Sequence, residues 1–335
     1  MTRHILAAAL ALTPLAALSA PSTGQIVQEH ILPRFTALTE TADTLAQAAQ
    51  DDCQPASAPL RAAYHDAFDA WISASHLRFG PTEVDDRAFA LAFWPDSRGA
   101  TPRVLSGLIA AEDPVAMDPE DYAEVSIAGR GFYALEALLF DDRFTEDDHA
   151  VYRCTLVQTI TADIAQLSAD IEQDWRDDYA EVITSPGPSA PYRSDEEALQ
   201  ELLRALSQGL QFTHDSRLGR PLGSFDQPRP MRAEARRSER SARHVRLSLA
   251  ALRDLALDLA AEDEALAQRL GEQFDTALAR LGALDDPTFA GVADPQTRLK
   301  IEVLQQDVGT LRDTVQQELG PTLGVAAGFN ALDGD

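Results

Sequence analysis

An all-α fold follows from three features of the sequence. Apolar residues recur at three- and four-residue steps in every long segment, and no segment alternates like a half-buried strand. Capping patterns and Gly/Pro clusters punctuate the segments at helix-length intervals. Ile31, Phe35, Leu38 and Leu45 form one face of a first helix that Pro33 must kink or begin, and Asp51-Asp52-Cys53 ends it. A second starts near Ser57-Ala58-Pro59 and presents Leu60, Tyr64, Ala67 and Trp71, and Gly80-Pro81 stops it. From Thr82 to Gly99 the pattern fails, which predicts a long loop carrying Phe89, Phe93 and Trp94. A short helix is expected from about Thr101 to Glu112. Asp118-Pro119-Glu120 opens a fourth helix, to about Phe140, and Thr145 with Asp148 opens a long one reaching about Asp177.

Ser185-Pro186-Gly187-Pro188 is the best linker. Beyond it, Ser194 and Glu197 make a capping box before a helix lined by Leu199, Leu202, Leu203, Leu206 and Leu210. A Gly/Pro/Arg loop from Arg217 to Pro230 and three more helices, over Val245–Leu259, Ala265–Leu284 and Arg298–Leu319, complete the chain. Two packed four-helix bundles joined through long loops are the expected architecture. The expected divisions are 1–20, 21–184, a linker at 185–193, and 194–335.

The chain has 335 residues, 45 % of them hydrophobic, and carries 28 basic against 54 acidic side chains for a net charge of −26. Such a field repels nucleic acids and anionic membranes. Lys300 is the sole lysine, so the positive charge is almost all guanidinium, which suits carboxylate pairing. Met1-Thr2-Arg3-His4 followed by the apolar run Ile5–Leu12 and the small-residue segment ending Leu18-Ser19-Ala20 reads as an export signal cleaved near Ser19 or Ala20. No later run spans a bilayer, so a periplasmic mature protein is expected. In that compartment Cys53 and Cys154 are expected to form a disulfide, and two cysteines exclude a structural zinc cluster.

No zinc-peptidase His-Glu-x-x-His, serine-nucleophile elbow or phosphate-binding glycine loop occurs. Glu146 and His149 form the one Glu-x-x-His, in a first helical turn where capping explains them. The stretch Gly129-Arg130-Gly131-Phe132-Tyr133-Ala134-Leu135-Glu136-Ala137-Leu138-Leu139-Phe140 is more pointed. Two glycines in a helix each cost about 1 kcal/mol, so close helix approach or a local break must justify them. Glu136 shares a face with Tyr133 and lies in an apolar run, where a carboxylate needs a partner, with arginine the abundant candidate. Arg236, Arg240 and Arg243 fall on one face if 236–244 is helical, and Ser238, Arg240 or Arg243 would reach the cleft between bundles to pair Glu136 or hold an anion. His214, beside Asp215, is a further candidate for that cleft. The tail, with Phe329, Leu332, Asp333 and Asp335, either frays or docks.

The 129–140 stretch resembles the Gly-x-His-x-x-Glu motif of the imelysin family, periplasmic helical proteins first described around an insulin-cleaving peptidase and related to iron-regulated and iron-uptake proteins. Leu77-Arg78-Phe79-Gly80-Pro81, Phe93-Trp94-Pro95-Asp96, Arg217-Leu218-Gly219-Arg220-Pro221-Leu222-Gly223, Arg237-Ser238-Glu239-Arg240-Ser241 and the ending Gly328–Asp335 agree with it, so the resemblance covers nearly the whole mature chain. It implies two four-helix bundles with the motif near their junction and a metal ion, iron or another, at Glu136 and position 133. Here that position is Tyr133, while Gly131 and Glu136 are kept. A phenol of pKa about 10 must ionise to ligate and mainly suits hard trivalent ions. A lost or altered metal site is therefore expected, a weakened ferric-selective one being the alternative.

The expected ligand-binding residues are Tyr133, Glu136, Arg78, Arg240, Arg243, Ser238 and His214, and the metal ligands, if any, Glu136 and Tyr133. The resulting expectation is a non-catalytic periplasmic binding or accessory protein of bacterial iron or other metal acquisition. Its ligand is a metal ion or small anion, and its partner a periplasmic or membrane iron-uptake protein. A metallopeptidase and an interaction protein with a degenerate metal site are the alternatives.

Overall fold

The computed structural model describes residues 22–145 and 149–325. The expected export signal, Glu146, Asp148 and the acidic tail lie outside them. Among the described residues nine main helices form the scaffold: α1 (23–51), α2 (Ala58–Ala74), α3 (Ala100–Ala111), α4 (Gly131–Phe140), α5 (150–184), α6 (195–222), α7 (Ser241–Leu259), α8 (Glu264–Gly282) and α9 (295–322). There is no strand among them, only an isolated bridge between Ser224 and Gln227. No helix of the described residues is long and apolar enough to cross a membrane.

In the first bundle α1 packs on α2 and α5, and α4 closes the ring against α2 and α5. Its core holds the predicted stripes: Phe35, Leu38 and Leu45 of α1 and Leu60, Tyr64 and Ala67 of α2 are fully buried. In the second, α6, α7, α8 and α9 pack in a ring, with Leu202, Leu206, Leu252, Leu255, Phe274, Ile301 and Leu304 inside. The bundles meet where α2 lies on α7. Phe68 stands edge-on to His244 there, ring centroids 4.5 Å apart. Polar contacts frame that face. Arg34 donates to Asp254 at 2.8 Å, and the buried His30 and His76 rings share a hydrogen bond of 2.9 Å.

Four details correct the sequence reading. Helical backbone starts at Thr23, ahead of Pro33, which occupies the first turn of the α segment Leu32–Asp51 directly after a π turn over Val27–Ile31 that widens the backbone where the proline ring would otherwise crowd a carbonyl. The loop at 82–99 contains a short helix, Arg87–Leu91. The fourth helix does not run from 118 to 140. It breaks after Tyr122, passes through a 3-10 turn at Ile127–Gly129 and restarts as α4. The break is held by Arg130, which donates to both oxygens of buried Asp163 on α5 at 2.9 and 2.6 Å, and by Tyr122 Oη on the Gly129 carbonyl at 2.6 Å. The glycines serve close approach: a Cβ on Gly129 would sit 2.8 Å from Val104 of α3. Finally, 236–240 is a series of turns and helix α7 starts only at Ser241, so Arg236, Arg240 and Arg243 share no helical face.

Cys53 and Cys154 are bonded, with Cα atoms 5.2 Å apart, tying the end of α1 to the first turn of α5 across a sequence separation of 101. Closing so long a loop restricts the unfolded chain by about 4–5 kcal/mol at most. Cys53→Ala with Cys154→Ala, or reduction, is expected to lower stability by about 3 kcal/mol without changing the far-ultraviolet spectrum. Urea denaturation with and without reductant measures this.

Candidate functional site

Helix α4 is apolar around its whole circumference, and every residue from Gly131 to Leu139 is buried. Glu136, 2 % exposed, is its one ionisable carboxyl and must find hydrogen bonds. It finds them across the bundle boundary. Its Oε1 accepts the Ser238 backbone N–H at 3.0 Å and the Ser238 hydroxyl at 2.8 Å. The expected arginine is therefore replaced by a turn. Left-handed conformations at Ala235 (φ 44°) and Glu239 (φ 60°) curl the segment so that one residue presents two donors to one oxygen. Oε2 accepts nothing from the described residues.

One turn earlier on α4, Tyr133 points at a second carboxylate. Its hydroxyl donates to Glu234 Oε1 at 2.6 Å, and burial, then the Glu234 charge, push its pKa well above the ordinary phenol value. Glu234 Oε2 receives Arg217 Nε at 2.8 Å, with both side chains buried. The Arg217 fork continues to Ser248 Oγ at 3.0 Å, and the ring of fully buried His244 sets Nδ1 3.3 Å from Glu234 Oε2. Burial alone would raise the Glu234 pKa. The Arg217 charge foremost, with the Tyr133 hydroxyl, overcomes it and holds the carboxyl at about 2. Burial leaves His244 with a lowered pKa and hence neutral. Arg217 reaches this position because α6 passes through a seven-residue π turn, Phe212–Leu218, of the kind that recurs at functional sites.

Above these carboxylates a cavity of about 190 Å³ opens between the bundles. Trp94 and Arg143 from the first half face Arg220, Arg232, Arg236 and Arg237 from the second. Trp94 stacks beside Tyr133 at 6.4 Å between ring centroids, and the Arg220 guanidinium lies 5.7 Å over the Trp94 ring. Asp141, at the rim, binds Arg143 and Arg237, which lower its pKa.

The structure thus brings Tyr133, Glu136 and Ser238 together at the cavity. Arg240 and Arg243 do reach the bundle boundary, but both spend their charge on Asp69 of α2. Arg78 lies elsewhere, paired with Glu83 at 2.6 Å and stacked on Phe89 at 4.6 Å. His214 is also outside the cavity lining. Its Nδ1 meets Asp215 at 2.5 Å, and its ring packs beside Gly309 of α9. The site residues to which the sequence assigned no role are Glu234, Arg217 and the cavity arginines Arg143, Arg220 and Arg232. A signal existed for Glu234, the only acid in the arginine-rich run 229–238.

A metal ion at Glu136 and position 133 does not fit this donor set. The Tyr133 phenol is protonated and already donates, Glu234 is matched by a guanidinium, and one oxygen of Glu136 is left as a single anionic donor. Among the described residues no group of three or more His, Cys, Asp or Glu side chains is placed to hold a metal ion.

The family model described as Imelysin matches residues 31–315. Iron-regulated protein A of Synechococcus elongatus is 24 % identical over 319 residues, covering 88 % of this chain and 84 % of that protein. Two crystal structures share the fold. An imelysin-like protein from Psychrobacter arcticum 273-4 superposes with a TM-score of 0.76 at 20 % identity, covering 92 % of this chain and 96 % of the other. A protein described as an iron-regulated protein A precursor, from Parabacteroides distasonis, gives 0.74 at 16 % identity, covering 94 % and 98 %.

Proposed function

The chain belongs to the imelysin family, and from that premise we propose that it is an exported, non-catalytic binding protein of bacterial iron acquisition whose ligand occupies the cavity over Tyr133 and Glu136. The observation that carries the reading is the position of Glu136: a buried carboxylate of the first bundle is used to hold a turn of the second, and that turn forms a wall of the cavity. A group committed in this way shapes a pocket. The iron connection rests on relatives whose names carry it.

Two measurements test the reading. Purified mature protein is expected to leave an unfolded protein substrate intact with or without a chelator. Chelator-sensitive cleavage that disappears in Glu136→Gln establishes a metallopeptidase instead. A strain lacking the gene is expected to grow more slowly when iron is limiting, and restoration by the wild-type gene but not by Glu136→Gln ties the phenotype to the cavity. Growth identical to the parent strain at every iron level overturns the iron assignment.

A further inference from the structure

We infer that the cavity takes a small organic polyanion, of the di- or tricarboxylate class, gripped by Arg220, Arg232 and Arg236 with its carbon skeleton against Trp94. The inference rests on the binding reading above and names its ligand chemistry.

The first argument is charge. The chain carries 54 acidic side chains against 28 basic ones, yet five arginines line this one cavity. Only two of the five are matched: Arg143 and Arg237 share Asp141 at 2.7 and 2.5 Å. Arg220, Arg232 and Arg236 form no ion pair among the described residues. Arg220 reaches only Ser97 Oγ, at 3.3 Å, and its Nε is buried without a hydrogen-bond partner. The acids that face the cavity form no ion pair with the three. Asp96 turns its carboxylate onto the backbone N–H groups of Arg98, Ala100 and Thr101, and Glu136 attracts Arg236 from a distance while its hydrogen bonds go to Ser238. Glu234, beneath, belongs to Arg217. Burial and mutual repulsion between Arg220 and Arg232 lower the pKa of Arg220, and burial with Arg237 does the same to Arg236 against the attraction of Glu136 and Asp141. Guanidinium groups crowded at a bundle junction repel one another, and a bound anion would relieve that repulsion.

The second argument is shape and surface. A guanidinium presents paired N–H donors at the spacing of the two carboxylate oxygens, and three such forks around one space call for more than one anionic group. Phe93, Trp94, Pro102 and Met231 supply apolar lining between them, which an inorganic ion would leave unused. A volume of about 190 Å³ suits a molecule of a few carbon atoms and not a folded chain.

Calorimetry on the full mature chain at low ionic strength tests this, with citrate, succinate, acetate and inorganic phosphate as probes and Trp94 fluorescence as a second readout. Citrate and succinate are expected to bind, and acetate at least tenfold more weakly. Arg220→Gln with Arg236→Gln is expected to weaken citrate at least tenfold, and exposed Arg232→Gln severalfold, while Arg78→Gln leaves it unchanged. Circular dichroism of each variant confirms folding. No binding of any anion by the wild type, binding undiminished in both the double variant and Arg232→Gln, or binding of phosphate but of neither carboxylate overturns the assignment. The iron-limited growth phenotype is read separately, so loss of the ligand class and loss of the broader role are distinguishable.

Discussion

Arg217→Met is expected to destabilise the protein by about 3–5 kcal/mol at neutral pH, because it leaves Glu234 ionised, buried and without its cation. The linkage to pH has a definite sign. The folded-state pKa of Glu234 is about 2, below the ordinary 4.5, so its contribution is fully present above about pH 4.5 and is lost as pH falls through 2. A depression of that size corresponds to about 3 kcal/mol. In wild type, stability measured by urea denaturation should therefore fall steeply from pH 5 to pH 2. In Arg217→Met this portion of the slope should reverse, since burial without the cation raises the folded-state pKa of the carboxyl above its unfolded value. Arg217→Met combined with Glu234→Gln is expected to recover most of the loss: no charge stays buried, and an amide oxygen still accepts from Tyr133. A double variant as unstable as the single one would show that the pair acts through packing.

Gly131→Ala should cost about 4 kcal/mol or prevent folding. Gly131 has φ +69°, a left-handed conformation costing a side chain about 1–2 kcal/mol. An added Cβ would lie 2.2 Å from the carbonyl oxygens of both Ala90 and Leu91. Backbone cannot rotate away as a side chain can, so the start of α4 must move, taking Tyr133 and Glu136 with it. Gly129→Ala meets side chains alone, Val104 nearest at 2.8 Å, and should cost less. Thermal unfolding of the two variants separates backbone obstruction from simple loss of a glycine. Equal melting temperatures would contradict the account.

The eight bundle helices were legible in the sequence because their apolar residues repeat at helical steps, as Leu199, Leu202, Leu206 and Leu210 do, and all four are buried. The disulfide was legible because the expectation of export made two lone cysteines natural partners. What periodicity does not encode is where a helix loosens. The π turn at Phe212–Leu218 and the break before Gly131 leave no mark on the apolar repeat, yet the first aims Arg217 and the second aims Glu136. The arginine expected beside Glu136 failed for a related reason. Positive φ at Ala235 and Glu239 makes Ser238 a two-donor turn, and residue type alone does not reveal that. Arg240 and Arg243 were placed at the right boundary without their true partner, because Asp69 lies on a stripe that reads as ordinary solvated surface.

The hydrogen bonds from Ser238 to Glu136 bear on mechanics as well as shape. They are a latch between helix clusters, and the wall they secure is the one carrying Arg236. Swinging the clusters apart would undo the latch and scatter the guanidinium groups in the same motion. A molecule lodged among those groups acts as mortar, so occupancy and stiffness of the joint rise and fall together.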